Sequence, residues 1–581
     1  MEFVLAKTAG FCWGVRRALN KTLEVDVPPG TRVTTLGPLV HNPQVIDLLK
    51  HRDIGVAKTV EEIQGGVAII RTHGVSPQVR AELESRAEKI FDQTCPVVVK
   101  VQKLVDVYKR KGHFVVIYGE PHHPEVQGLI GFAGEGNSII IDKAEDLYRV
   151  KEMGHERIIL VTQTTTNVAE WNRTMALARQ EFPEVVVKDT MCDATIERQD
   201  DILELCRQVE AMIVIGGKNS GNTTRLAQIA AEEFRLPTWH IESEDELMGV
   251  DFTPYAKIGV TAGASTPAWS IDRVMAYLKT LEDRSKNPAL SKIKAALSTM
   301  VVTNVFTSLA AGALCYVGAA LQGVPFSSPF FWLVFCYVLS MHVLNRFTER
   351  NLDQFRDDPA RVRFYEKHGK LMRAIGVGSG AVALAISVWM GVLPFLLILG
   401  ASVIGVLYSV KIVPKRFMKT VGFRRLKDIA ASKNFFVASA WAMVSIFPIF
   451  FLSANPDLAR TVLAFAFLFV VTAMRSVVVD LTDMNADRLV GRETLPLVLG
   501  EKKTARFLLY AAGGLGAGLM GFAAVGMFPL AAWALGAWVL AELVYLMSHP
   551  PTFERGVVMR DLVVDSHFLA AAVLTFLLSR I

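Results

Sequence analysis

Beyond about residue 295 the chain carries nine apolar segments, roughly 295–321, 326–344, 374–391, 392–410, 435–454, 461–479, 507–527, 528–547 and 562–579. Most approach or exceed the ~20 residues that a helix needs to cross a bilayer. The shortest could be buried helices of a soluble bundle, but nine in succession predict an all-α polytopic membrane domain with about nine transmembrane helices. Turns near Pro394 and Pro529 are short enough to make hairpins of their neighbours. The mean hydropathy of +0.33 beside an ordinary 20% of charged residues is then an average over two unlike halves.

Basic residues set the topology of that domain. Of the 26 lysines and arginines beyond residue 295, 24 lie in the loops 345–373, 411–433, 475–506 and 548–561, leaving Arg460 and Arg580. Alternating crossings place those loops on the side of the N-terminus, and the positive-inside bias makes that side cytosolic. No signal peptide precedes Met1–Thr8, which agrees. The net charge of +6 therefore lies mostly against the inner leaflet or in phosphate sites, and nucleic acid is not needed to explain it.

Through about Glu282 the chain reads differently. Val67–Arg71, Phe114–Tyr118, Ile158–Thr162, Met212–Ile215 and Ile258–Thr261 are apolar runs of strand length, each followed by turn residues and an amphipathic stretch. Repeated strand–turn–helix units predict an α/β part with largely parallel sheets. The expected division is residues 1–282, a polar linker at 283–294, and the membrane domain at 295–581.

Six cysteines rule out a disulfide scaffold. Cys206 lies in a helical pattern, and Cys315 and Cys336 inside apolar spans, where packing explains them. Cys12, Cys95 and Cys192 sit in turn-like contexts, 83 and 97 residues apart. That is too far for a CxxC motif but suits one cysteine from each of three similar lobes. Three thiolates at a centre hold a [4Fe–4S] cluster with one iron open; three buried structural cysteines satisfy the same spacing. Histidines follow strand-like runs in GPLVHNP (His41), RTHGVS (His73) and HHPEV (His122, His123), and Gly216–Thr223, GGKNSGNT, is a small-residue turn able to present N–H groups to an anion. Taken singly, each is equally a hydrogen-bonded turn.

Together, the segments GFCWGV, LGPLVHNP, RTHGVS, DQTCP, HHPEVQG, TQTT, DTMCDAT, GGKNSGNT and VTAGASTP occur in that order. In them, residues 1–282 resemble the 4-hydroxy-3-methylbut-2-enyl diphosphate reductase family of the non-mevalonate isoprenoid pathway. The resemblance implies three similar α/β lobes around a central [4Fe–4S] cluster ligated by Cys12, Cys95 and Cys192. It implies that His41, His73, His123, Ser220, Asn222 and Ser265 bind the substrate diphosphate. Glu125 would deliver protons and Thr164 would orient the substrate hydroxyl, which leaves as water to give isopentenyl and dimethylallyl diphosphates. A lone iron site and a nearby carboxyl suit that chemistry. Some members carry a second serine where this chain has Gly221, and the ligand histidine is the one before Pro-Glu, hence His123 rather than His122. An electron donor such as ferredoxin or flavodoxin is implied.

In the membrane half, Asn345, Glu349, Asp353 and Asp357 repeat every four residues in one inner loop, and Asp483 and Asp487 do so in another, after Asp480 and before Gly491-Arg492-Glu493-Thr494-Leu495-Pro496. Two carboxylate stripes on same-side loops suit Mg²⁺ bridged to a diphosphate, although a single stripe reads as readily as a solvated helix. Residues 295–581 resemble the UbiA-type intramembrane prenyltransferases. The resemblance implies that Asn345, Glu349 and Asp353 hold one Mg²⁺ and Asp483 and Asp487 another, binding a prenyl diphosphate whose allylic cation an unknown acceptor captures. The family's first motif usually has Asp where this chain has Arg346 and Glu349. Lys415, Arg416, Lys427 and Lys433 serve phosphate neutralisation or merely the positive-inside bias.

The expected protein is a multi-pass enzyme of the cell inner (cytoplasmic) membrane with its reductase domain in the cytoplasm, a bilayer around the second half, and no nucleic-acid partner. The competing expectation is that the second half is a non-catalytic anchor.

Overall fold

The computed structural model describes all residues except 26, 29, 287, 354–358, 410–431, 485–486, 488–493, 529–530, 549–555 and 580–581. Within helices, the side chains of 284–286, 290, 348–353, 359–360, 409, 540, 542–548 and 556–559 are also outside the description.

Twelve strands form three four-stranded sheets in which every described pairing is parallel. In chain order they are β1 (Glu2–Leu5), β2 (Val33–Leu36), β3 (Ile54–Ala57), β4 (Val67–Ile70), β5 (Lys89–Asp92), β6 (Phe114–Tyr118), β7 (Ser138–Ile141), β8 (Ile158–Thr162), β9 (Val186–Val187), β10 (Ala211–Ile215), β11 (Thr238–Ile241) and β12 (Lys257–Ala262). The five apolar runs seen in the sequence fall on β4, β6, β8, β10 and β12, all in sheet interiors. Strands such as Phe114–Tyr118 and Ala211–Ile215 are buried at every residue, as strands covered by helices on both faces must be. The sheet orders are β1-β12-β10-β11, β3-β2-β4-β5 and β7-β6-β8-β9. The first strand of the chain thus completes the sheet formed by the last three, so this unit closes only when its full length is present.

Parallel neighbours need crossovers, here mostly helices. They are α1 (Trp13–Leu23), α2 (Pro43–His51), α3 (Pro77–Arg86), α4 (Pro96–Arg110), α5 (Pro124–Ala133), α6 (Leu147–Glu152), α7 (Val168–Glu181), α8 (Asp193–Cys206), α9 (Gly221–Gln228) and α10 (Ala268–Lys286). Proline starts α2 to α5, where its missing N–H costs nothing.

The chain divides into compact units Met1–Pro288 and Ala289–Ile581. The polar stretch 283–294 is largely helical: α10 runs to Lys286 and α11 spans Pro288–Val302. Ala, Leu and Lys there are good helix formers, and Pro288 opens the second helix. The first apolar segment, 295–321, is correspondingly split. Asn304 adopts a left-handed backbone at φ 61°, which Asn tolerates better than most residues, and caps α12 (Val305–Gln322).

The remaining helices are α13 (Ser328–Asp353), α14 (Pro359–Met390), α15 (Val392–Ser409), α16 (Ser432–Leu452), α17 (Leu458–Thr482), α18 (Leu495–Leu499), α19 (Glu501–Ala524), α20 (Ala531–Ser548) and α21 (Gly556–Leu578). Among the described residues, eight of the nine apolar segments each lie mainly on one helix, and the first is divided between α11 and α12. Among the described residues seven are long and apolar enough to span a membrane, and Val392–Tyr408 is a shorter apolar helix. Leu314, Leu333, Val338, Phe467 and Phe568 belong to one continuous core. Val377, Trp389, Val392 and Leu396 on α14 and α15 are instead exposed, an apolar surface that lipid accommodates and water does not.

Candidate functional site

Each sheet of the first unit reads alike from the edge strand that leads to a cysteine: β1-β12-β10-β11, β5-β4-β2-β3, β9-β8-β6-β7. The first strand of each leads to Cys12, Cys95 or Cys192. The second leads to Ser265, His73 or Thr164. The third leads to Ser220 with Asn222, to His41, or to His123 with Glu125. All of these residues follow the carboxyl ends of parallel strands, where α/β proteins place ligands.

The three cysteines occupy equivalent local positions, as the N-caps of α1, α4 and α8. Their backbone N–H groups donate to carbonyls in the turn after the second strand: Cys12 to Ala264 at 3.1 Å, Cys95 to Thr72 at 2.9 Å and Cys192 to Thr164 at 3.1 Å. Gly14 fits between two sulfurs, since a Cβ there would lie 2.8 Å from Cys95 Sγ and 3.9 Å from Cys12 Sγ. Burial pushes the Cys95 and Cys192 thiols up, and the neighbouring cysteines add to it, although first-turn N–H groups of α4 and α8 act the other way. A nucleophilic cysteine needs the opposite shift. Half-buried, clustered thiols raised in this way need a strongly cationic partner to ionise, which is what iron supplies, and the donor set fits an iron–sulfur cluster. Arg198, which the sequence did not single out, has a buried guanidinium facing Cys12 and Cys192, held by Gly10 O at 2.6 Å and Ala194 O at 2.8 Å.

Beside the cysteines, the rings of His41, His73 and His123 lie 4.8, 5.1 and 6.1 Å apart pairwise. His122 is exposed. Burial first, then the neighbouring imidazoles and Arg71, lowers His123 to about 4 and His73 well below its usual range; burial and Arg71 lower His41. The trio is close enough to ligate one metal ion. A guanidinium among three imidazoles disfavours a cation, however, and favours a polyanion. The other groups agree. Ser265 Oγ lies 3.3 Å from both Ser220 Oγ and His41 O. Both amide atoms of Asn222 and Nδ1 of His73 are buried without a protein partner, a cost that a bound acceptor-rich ligand removes. Ser220 caps α9 without bonding it through its side chain, so that helix N-terminus faces the same place. Gly221 begins α9. Arg71 was visible in RTHGVS, as a basic residue at a strand end, but nothing distinguished it from a surface arginine.

Glu125 completes the first site. It is fully buried on α5, and Thr164 donates to it twice, from N to Oε1 and from Oγ1 to Oε2, both at 2.8 Å. His123 Nδ1 accepts the Glu125 N–H at 3.2 Å. Burial raises Glu125 to about 7 against the pull of both Thr164 bonds, so it keeps a proton near neutrality.

In the second unit the carboxylates of α17 and α21 meet arginines. Asp483, at the end of α17, is in a close ion pair with Arg560 of α21. Arg560 also reaches Asp561, which Arg361 of α14 contacts at 2.8 Å. Arg475 of α17 holds Asp565 through bonds of 2.6 and 3.1 Å, and Thr307 of α12 donates to the same carboxylate at 2.6 Å. Asp487 lies one turn beyond Asp483 and is fully buried. Asp480 pairs with Lys433 at 2.7 Å. Asn345 is exposed on α13, whereas Glu349, Asp353, Asp357, Gly491, Arg492, Glu493, Lys415, Arg416 and Lys427 lie outside the described residues or side chains. Asp483 and Asp487 offer hard oxygen donors at helical spacing and so fit Mg²⁺, with Arg560 as the competing cation. The sequence missed Arg560, Asp561 and Asp565; an Asp within an apolar span was the available signal.

The family model described as LytB protein matches residues 3–279, and that described as UbiA prenyltransferase family matches residues 304–555. The 4-hydroxy-3-methylbut-2-enyl diphosphate reductase of Aquifex aeolicus is 38% identical over 283 residues, 48% of this chain and 97% of that protein. A solved structure of (E)-4-hydroxy-3-methyl-but-2-enyl diphosphate reductase, the terminal enzyme of the non-mevalonate pathway, is 38% identical, with a TM-score of 0.38, covering 48% of this chain and 99% of that one. A UbiA homolog from Archaeoglobus fulgidus, solved with GPP and Mg²⁺, is 12% identical, with a TM-score of 0.38, covering 49% of this chain and 100% of that one.

A polyanion raises the proton affinity of neutral imidazoles, so the expected outcome is that inorganic diphosphate will bind here with proton uptake. Calorimetry in buffers of different ionisation enthalpy will show affinity rising as pH falls from about 8 to about 6.5. Gly217→Ala places a Cβ 2.6 Å from His41 O and will weaken that binding by about tenfold or more.

Proposed function

We propose that this chain, which belongs to the LytB family and carries a UbiA-family membrane domain, reduces 4-hydroxy-3-methylbut-2-enyl diphosphate to isopentenyl and dimethylallyl diphosphates and transfers prenyl groups in the membrane. The observation that carries the first half is the juxtaposition of three capped cysteines, an anion-seeking histidine cluster and a protonated Glu125. The reaction takes up two electrons and two protons, breaks the allylic C–O bond and releases water.

His41, His73, His123, Ser220, Asn222 and Ser265 bind the diphosphate, and Arg71 adds fixed positive charge behind them. Thr164 holds Glu125 in one orientation and directs the substrate hydroxyl toward it. Glu125 stores a proton at its carboxyl near neutral pH and gives it to the departing oxygen. The closed surroundings of Glu125 keep bulk water from that proton. Bound to Cys12, Cys95 and Cys192, a [4Fe–4S] cluster supplies the electrons and a Lewis-acidic iron for the hydroxyl.

In the membrane unit Asp483 and Asp487, together with Asn345, Glu349 and Asp353 of the first acidic motif, are the groups that would hold Mg²⁺, which would neutralise the diphosphate of a prenyl donor. The apolar bundle takes the prenyl tail and excludes water. The basic loops of the second half support a reading in which the enzyme sits in the cell inner membrane with the reductase unit in the cytoplasm, where ferredoxin or flavodoxin would supply electrons. The Arg560–Asp483 pair favours a second reading, a membrane anchor without turnover.

Glu125→Gln will lower substrate-dependent oxidation of a reduced dye by about 10²–10⁴-fold while leaving diphosphate binding intact. For the parent enzyme the same rate will fall as pH rises through about 7, where Glu125 loses its proton. Asp483→Asn will abolish Mg²⁺-dependent diphosphate release from prenyl diphosphates at unchanged expression. An anchor shows no such release in either protein, although its reductase is active.

A further inference from the structure

Two electrons per turnover must enter the soluble unit, and one surface beside the cysteines is built for contact. α1 starts at its Cys12 cap, so Trp13 is the next residue, its Cα about 3.8 Å along the chain from that of a sulfur ligand. On its inner side, this first turn meets the Cys12 and Cys95 sulfurs through Gly14. On its outer side, Trp13 is 67% exposed, with no ring partner among the described residues. Arg16, Arg17 and Lys21 follow at three, four and eight residues from Trp13, and α1 contains no acidic residue. Among the described residues none of these three cations enters an ion pair. Arg17 donates to Thr94 O at 3.4 Å, linking α1 to the turn that carries Cys95. α4, capped by Cys95, adds exposed Lys100 and Lys103, whereas α8, capped by Cys192, presents the acids Asp193 and Glu197. The excess positive charge next to the cysteines therefore lies on the α1 and α4 helices.

We propose that the outer face of α1, with Trp13 at its cysteine end and Arg16 and Lys21 following along it, is the docking surface for an acidic single-electron carrier protein. The inference rests on the reductase reading. Each encounter oxidises one reduced carrier by one electron and reduces the cluster by one; two encounters, with two protons from solvent by way of Glu125, balance one turnover. Opposite charges steer the encounter, and an aromatic side chain desolvated at the centre of a charged rim is the usual anchor of such contacts. Trp with Arg and Lys also suits a membrane surface. The carrier is favoured because this patch lies on the very turn that a sulfur ligand caps.

The test uses full-length protein reconstituted anaerobically in lipid nanodiscs, mixed rapidly with reduced plant-type ferredoxin while the cluster absorbance is followed. Dithionite serves as the small reductant in parallel. Trp13→Ala and the double variant Arg16→Glu, Lys21→Glu will each slow reduction by ferredoxin about tenfold or more, with cluster absorbance and the dithionite rate unchanged. The unsubstituted protein's ferredoxin rate will fall as salt rises from about 50 to about 500 mM. Undiminished ferredoxin rates in both variants overturn the proposal, and do so in favour of a lipid contact if the variants lose binding to phosphatidylserine-containing vesicles. If the unsubstituted protein takes up no cluster, the reductase reading fails and the docking surface with it.

Discussion

A parallel strand delivers side chains to a site mainly at its carboxyl end, where the chain turns toward a helix whose first N–H groups lack partners. The soluble unit uses this constraint three times. In each sheet an edge strand leads to a cysteine that caps a helix, and the two inner strands lead to the histidines, serines, Asn222, Thr164 and Glu125 of the proposed substrate site. The repeated bond from each cysteine N–H to the neighbouring turn ties sulfur placement to substrate placement. The chain closes its third sheet with its own first strand, so Cys12 arrives in register with Ser220 and Ser265, more than 200 residues later.

Desolvation then sets the chemistry in both units, with opposite solutions. In the soluble unit desolvation favours the neutral forms, with raised Cys95 and Cys192 thiols, lowered imidazoles and a raised Glu125 carboxyl, as the proposed iron and diphosphate partners would require. In the membrane unit the buried groups pair. Arg560 with Asp483 and Asp561, and Arg475 with Asp565, bring α14, α17 and α21 into one network that lipid cannot replace. The proposed metal and diphosphate would have to exchange with those pairs, which makes α21 part of the same site although its apolar run reads as a plain final span.

Much of this was legible in the sequence because its signals are local. Continuous β-branched runs marked five of the six interior strands, β4, β6, β8, β10 and β12, and left out β2. The other seven have two to four residues, and β2 buries two threonines while β5 ends in Lys and Asp, so neither length nor periodicity announces them. All nine apolar segments became helices; the break at Asn304 was invisible because a left-handed Asn leaves no mark on hydropathy. Motif order pointed to Cys12, His41, Glu125 and their companions. Arg71, Arg198 and Arg560 escaped notice because their role depends on which distant backbone or carboxylate they meet, and no spacing along the chain encodes that.

The central claim, that three edge strands deliver three cysteines to one cluster, is tested most directly by chemical iron and sulfide analysis of anaerobically reconstituted protein. The unsubstituted chain should hold about four irons and four sulfides. Cys12→Ser, Cys95→Ser and Cys192→Ser should each lose most of both, while Cys206→Ser, buried in a helix, should lose none. Full iron content in any of the first three variants, or loss in the fourth, would contradict the account.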